Sequence, residues 1–268
     1  MKNKFVLAIS FVFLLIFTVA CENQAENKQL TSKEKNEQQI ELTISAAASL
    51  KDAMETLQST YNNEHPNIKI NFNFGSSGSL QQQISHGAPV DIFFSAAEDK
   101  FNKLIEEGKI DEQDSIDLLG NSLVLIIQKN NDSSISDITD LTKDEITQFS
   151  IGTPESVPAG KYSQEALEKM DIWSKVDSKV VFAKDVRQVL SYVETGNVSA
   201  GMVYKTDALV SDKVEIVATA NPNSHTPIIY PVGLIKDSKN YEAANDFYQY
   251  LQSDKALKVF EEYGFTTQ

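Results

Sequence analysis

From Ile40 to its end the chain alternates short apolar runs with amphipathic stretches, and this alternation restricts the fold more than any other feature. LTISAAA reads as a strand, and the following SLKDAMETLQSTYNNEH carries Leu50, Ala53, Met54 and Leu57 at helical spacing. Pro66 stops that pattern, IKINFNF resumes as a strand, and SLQQQISHG, VDIFFSA and AEDKFNKLIEEG continue as helix, strand and helix. This β-α-β-α-β order argues for a parallel sheet covered by helices.

LLGNSLVLIIQK, Leu118 to Lys129, starts a second unit as a strong strand. DITDLTKDEITQ reads as helix, FSIGTP as strand, GKYSQEALEKM as helix, KVVFA as strand and DVRQVLSYVETG as helix. AGMVY and KVEIVAT follow as strands; IIYPVGLI then returns, and NDFYQYLQSDKALKVFEEYGF closes the chain with two helices. The expected architecture is α/β with two lobes, each a mainly parallel sheet flanked by helices. Residues 40–119 and 228–268 form lobe 1, residues 120–227 form lobe 2, and the chain crosses near Gly120 and Ile228.

The segment before Ile40 has another character. MKNKFVLAISFVFLLIFTVAC opens with Lys2 and Lys4 and continues as an apolar run of roughly 16 residues, short of the ~20 that span a bilayer. Residues 1–20 therefore read as a secretory signal peptide. Cys21, the single cysteine, sits where a bacterial lipobox places the residue that becomes lipidated, with Thr18 where such signals usually carry leucine. Several acyl chains there give stable anchoring. Residues 21–39 are almost free of apolar side chains and read as a disordered tether. The expected location is outside the cell, held by lipid at the outer face of the cytoplasmic membrane.

Charge excludes one class of partner. With 38 acidic against 24 basic side chains the net charge is −14, the wrong sign for nucleic acid. Arg187 is the only arginine, so no cluster exists to clamp phosphate. It either meets an anion or pairs with an acid such as Asp185 or Asp207. Trp173 reads as packing under a helix end.

The candidate site lies where strands hand over to helices. Ligands of open α/β sheets bind beyond the carboxyl ends of strands, and a helix N-terminus there offers free N–H groups and about half a positive charge. Small residues recur at these junctions: Ala46-Ala47-Ala48-Ser49, Gly75-Ser76-Ser77-Gly78-Ser79 and Pro158-Ala159-Gly160, with Asp185-Val186 a fourth. Tyr204 stands just past the end of another strand. Ser49 alone is explained equally by a capping box with Asp52. Together the junctions offer hydroxyls and amides with little formal charge. Such a set suits an oxyanion without protons, because a protonated one needs an acceptor, and an unmatched buried group costs about 1–3 kcal/mol.

ISAAASLKDAM, FGSSGSLQQQI, APVDIFFSA, LLGNSLVLI, PESVPAGKYSQEAL, AKDVRQVLSYVETG, GMVYKTDA, YPVGLI and YGF, in that order, closely resemble the molybdate-binding component of bacterial ABC transporters. The resemblance runs from Ile40 to Phe265. It implies the two-lobed periplasmic-binding-protein fold of class II, with the ligand in the cleft between lobes. It implies Ser49 and Ser77 as donors from lobe 1, Ala159 and Val186 through backbone N–H from lobe 2, and Tyr204 through its phenol. Ser76 is the alternative to Ser77, because relatives carry a third serine where this chain has Gly78. The implied ligand is molybdate, or tungstate of nearly the same size. The implied partner is an ABC permease that takes the ion from the closed form of a monomeric binding protein; no cofactor or catalysis is implied, and molybdenum enters only as the oxyanion. The rivals are another oxyanion such as sulfate or chromate, and a non-transporting sensor or adhesin of the same fold.

Enzymatic readings find little support in the residues. GSSGS is one residue short of a Gly-x-Ser-x-Gly elbow, and His65, His86 and His225 have no evident orienting partner. Ala159-Gly160-Lys161-Tyr162 lacks the hydroxyl residue and the upstream glycine of a phosphate loop. The scattered histidines do not make a metal site.

Overall fold

The computed structural model describes residues 39–130 and 133–268. The signal peptide, Cys21 and the tether lie outside the described residues.

The chain runs β1 (Ile40–Ala47), a single 3-10 turn (Ala48–Leu50), α1 (Lys51–Glu64), β2 (Ile68–Gly75), α2 (Ser77–Ser85), β3 (Ile92–Phe94) and α3 (Glu98–Glu106). It continues through β4 (Ser115–Gly120), β5 (Leu123–Gln128), β6 (Phe149–Gly152), α4 (Pro158–Lys169), α5 (Trp173–Val176), β7 (Val180–Ala183) and α6 (Val186–Glu194). β8 (Ala200–Tyr204), α7 (Lys205–Leu209), β9 (Val214–Thr219), β10 (Ile229–Leu234), α8 (Tyr241–Leu251), α9 (Asp254–Glu262) and β11 (Thr266–Thr267) complete it.

Two sheets result. The first has six strands in the order β11-β4-β10-β3-β1-β2, the second five in the order β7-β6-β8-β5-β9. Both are mixed. In the first, β1 pairs in parallel with β2 and β3, while β10 runs antiparallel to β3 and β4. In the second, β6 pairs in parallel with β7 and β8, and β5 runs antiparallel to β8 and β9. Sequence periodicity alone suggests mainly parallel sheets; the antiparallel strands are those flanking the passages between sheets.

Burial follows the apolar pattern. α1 sinks Ala53, Met54, Leu57 and Tyr61 onto the first sheet. Each side chain of the size of Leu57, fully removed from water, contributes roughly 1.5–3 kcal/mol. β5 is buried from Leu123 to Ile127 without alternation, as expected of a central strand covered on both faces. Trp173 packs half-buried against the same core.

Two sequence expectations are corrected. LLGNSLVLIIQK is two strands in different sheets, β4 ending at Gly120 and β5 beginning at Leu123. Between them Asn121 Oδ1 accepts the N–H of Ser122 at 2.9 Å, a local bond that turns the chain out of one sheet and into the other. DITDLTKDEITQ is not a helix: only Ile138–Thr142 winds, as a 3-10 segment. Asp137 accepts the N–H of Thr139 and Asp140 accepts those of Ser136 and Asp137, a capping box that starts the turn, and Lys143 ends it in an extended conformation.

Candidate functional site

The carboxyl ends of the parallel strands from both sheets face a common cleft. A cavity there is lined by Ser49, Ser76, Ser77, Ala159, Val186 and Tyr204, with alanines 47, 48 and 96, Gly75, Val157 and Pro158 between them. All five residues expected at the site, and the alternative Ser76, meet at it. It leaves about 10 Å³ to the centre of a water-sized body, room for about one such body. No lining residue is charged.

Each donor owes its position to a local cause. Ser77 and Val186 each open a helix, α2 and α6, and Ala159 is second in α4 after Pro158. The N–H groups of a first turn have no carbonyl partner within their helix. Asp185 caps α6 by accepting from Gln188 N–H at 2.9 Å, further along than Val186. Val157, before α4, supplies no side-chain cap. Ser76 caps α2, and its hydroxyl donates to Ser79 Oγ at 2.8 Å, so Ser77 is the better placed of the pair.

Ser49 corrects the capping-box alternative. It lies inside the 3-10 turn, no side chain caps that turn or α1, and its Oγ meets Tyr230 Oη at 2.9 Å. Burial holds the phenols of Tyr204 and Tyr230 well above their ordinary titration range, so both stay protonated. Tyr230, Asn121 and Ala96 were not foreseen as neighbours of the site.

Arg187 pairs with acids on both sides of the cleft. Its Nε lies 2.7 Å from Asp207 Oδ1 and its Nη2 2.5 Å from Asp52 Oδ2 in α1. Asp207 was among the expected partners; Asp185 is not one, being occupied as a helix cap. These are charge contacts, since Arg187 Nε and both carboxylate oxygens lack a well-angled hydrogen bond. Burial works against the guanidinium charge, but Asp207 and Asp52 outweigh it and raise its pKa. Burial pushes the Asp207 carboxyl up to about 6, against the pull of Arg187. With two acids on one arginine, the cleft has no spare positive charge from this residue.

The two halves also touch directly at the cleft, through helices and a loop. Gly78 N–H donates to the carbonyl of Ser156 at 3.0 Å, and Lys161 Nζ reaches Asp99 at 3.1 Å. A Cβ on Gly78 would stand 2.6 Å from that carbonyl oxygen, so the approach requires glycine.

Fold and cleft together describe a two-lobed protein with a small cavity between its halves. The chain belongs to the family of bacterial extracellular solute-binding proteins, whose profile matches residues 42–266. It is 52% identical over 268 residues, the full length of both chains, to a Bacillus subtilis protein provisionally named as the ABC transporter substrate-binding lipoprotein YvgL. It is 39% identical over 230 residues to the molybdate-binding protein ModA of Haemophilus influenzae, covering 84% of this chain and 89% of that one. A solved Clostridium difficile structure, described as the substrate-binding domain of a provisionally assigned molybdenum ABC transporter, superposes with a TM-score of 0.66 at 44% identity. That match covers 85% of this chain and 99% of the other. No helix among the described residues is long and apolar enough to cross a membrane.

Proposed function

We propose that this chain captures molybdate outside the cytoplasm and hands it to an ABC permease, with tungstate accepted on nearly equal terms. The observation that carries the reading is a small cavity bordered by Ser49, Ser77, Ala159, Val186 and Tyr204 and by no charged side chain. Neutral donors match an oxyanion that arrives without protons, and no carboxylate lines the cavity to accept the proton of hydrogen phosphate. The small cavity argues against sugars, amino acids and peptides. The identity to relatives named for molybdate supports the choice among tetrahedral ions.

Donors from both halves make the closed form the tighter binder, and that difference in affinity shifts the population towards closure. The permease then meets the closed shape. Cys21 is the proposed lipid attachment point; Cys21→Ser should release the protein into the medium in cell fractionation.

Calorimetric titration with molybdate, tungstate, sulfate and phosphate tests the assignment. Heat from molybdate and tungstate alone is expected. Saturation by sulfate at equal affinity would replace molybdate by a broader oxyanion class, and silence from all four would favour a sensor or adhesin.

A further inference from the structure

The hydroxyls of Ser49 and Ser77 at the cavity are each held from behind. Ser77 Oγ accepts the N–H of Ala96 at 2.8 Å. A backbone amide only donates, so this contact occupies a lone pair of Ser77 and leaves its proton for the cavity it lines.

Ser49 is reached through a longer chain. Asn121 Oδ1 accepts Ser122 N–H at 2.9 Å, and because that N–H cannot accept, the orientation of the amide is fixed. Its Nδ2 therefore points at two oxygens, Thr206 Oγ1 at 2.9 Å and Tyr230 Oη at 3.2 Å. Either oxygen could donate in the 2.9 Å contact between Tyr230 Oη and Ser49 Oγ; because Asn121 Nδ2 can only donate to Tyr230, Ser49 Oγ is the acceptor open to the phenol's own hydrogen. With one lone pair of Ser49 taken by that hydrogen, its own proton is free for the cavity it lines.

We propose that Asn121 and Tyr230 are positioning residues that fix Ser49 as a donor and so bias the first half of the cavity towards ligands without protons. Without the relay the Ser49 hydroxyl turns freely and presents lone pairs as readily as its proton. An oxyanion then loses an oriented donor, and a protonated competitor gains an acceptor. The proposal rests on the oxyanion reading of the site.

A double-mutant cycle on the full chain, read as molybdate affinity by calorimetry, tests it. The four proteins are wild type, Ser49→Ala, Tyr230→Phe and the double variant. Tyr230→Phe keeps the ring, which packs edge-on against Tyr204 and Phe265. It is expected to weaken molybdate binding about fivefold when Ser49 is present and not at all in the Ser49→Ala background. Equal losses in both backgrounds would mean that Tyr230 acts by packing alone and would overturn the relay, as would no loss in either. A Ser49→Ala protein with undiminished affinity would overturn the site reading itself, and the relay with it. If Tyr230→Phe fails to fold, Asn121→Ala replaces it in the cycle with the same expectations.

Discussion

The two sheets share one plan and differ in what they offer the cleft. Each carries a parallel trio, β2-β1-β3 or β7-β6-β8, with an antiparallel strand beside the last member, β10 or β5. Yet in the proposed site the first half would bring side-chain hydroxyls, Ser49 and Ser77, and the second the amides of Ala159 and Val186 with one phenol, all five residues lining the cavity. An amide at a helix N-terminus is aimed by the helix and needs no further support. A hydroxyl rotates, so its direction must be set by a neighbour. This explains why Tyr230, Asn121 and Ala96 stand behind the serines, and why such neighbours are not needed behind the two amides.

The halves also differ in what their close contacts do, and glycine substitutions should separate the roles. A Cβ on Gly160 would collide with the carbonyl of Gly152 within the second half, joining β6 to α4. Gly160→Ala should therefore cost about 3 kcal/mol or more of folding stability in denaturant unfolding. A Cβ on Gly78 meets only the opposite half at Ser156. Gly78→Ala should leave the melting temperature of the ligand-free chain unchanged and weaken molybdate binding by about 100-fold, on the order of 3 kcal/mol. Loss of stability in both would erase the distinction between a folding contact and a closing contact.

Buried charge is a further asymmetry: among the described residues, the carboxylate fully buried at the cleft is that of Asp207, in the second half. A carboxyl pushed up to about 6 binds more protons folded than unfolded between its two pKa values. Its contribution to stability is therefore present below pH ~4 and lost as pH rises towards ~6, a change of up to about 3 kcal/mol. The stability difference between wild type and Asp207→Asn should move across that window and stay flat above it. A flat difference throughout would place the Asp207 titration elsewhere.

The smallest effects test the donors themselves. Val186 opens α6, where proline fits and removes the N–H, and Asp185 before it is already extended. Val186→Pro and Ser77→Ala should each weaken molybdate binding by about 1.5–3 kcal/mol, as for a lost hydrogen bond to a charged group. Val186→Ala keeps the amide and should change affinity by less than about 0.5 kcal/mol. Were Val186→Ala as damaging as Val186→Pro, the second half would be acting through side chains after all.

The strand-to-helix junctions were legible because their signals are local: an apolar run, small residues, then helical spacing. They brought these stretches into view, the family resemblance singled out Ser49, Ser77, Ala159, Val186 and Tyr204 within them, and all five border one cavity. Long-range partners leave no such trace. Tyr230 lies 181 positions from the Ser49 hydroxyl it holds, and nothing near it in sequence marks it as polar support. The split of Leu118–Lys129 was hidden because apolar residues flank Asn121-Ser122 on both sides, and only the sheet partners reveal the break. Asp52 as a partner of Arg187 was masked by its capping-box position, since sequence offers a local use for that carboxylate and the fold a distant one.

Crystals grown with molybdate and measured at the molybdenum absorption edge address the central claim most directly. The account predicts one anomalous peak within hydrogen-bond distance of the Ser49 and Ser77 hydroxyls, the Ala159 and Val186 amides and the Tyr204 phenol. A peak held instead by lysines on the outer surface, with the cleft vacant, would contradict it.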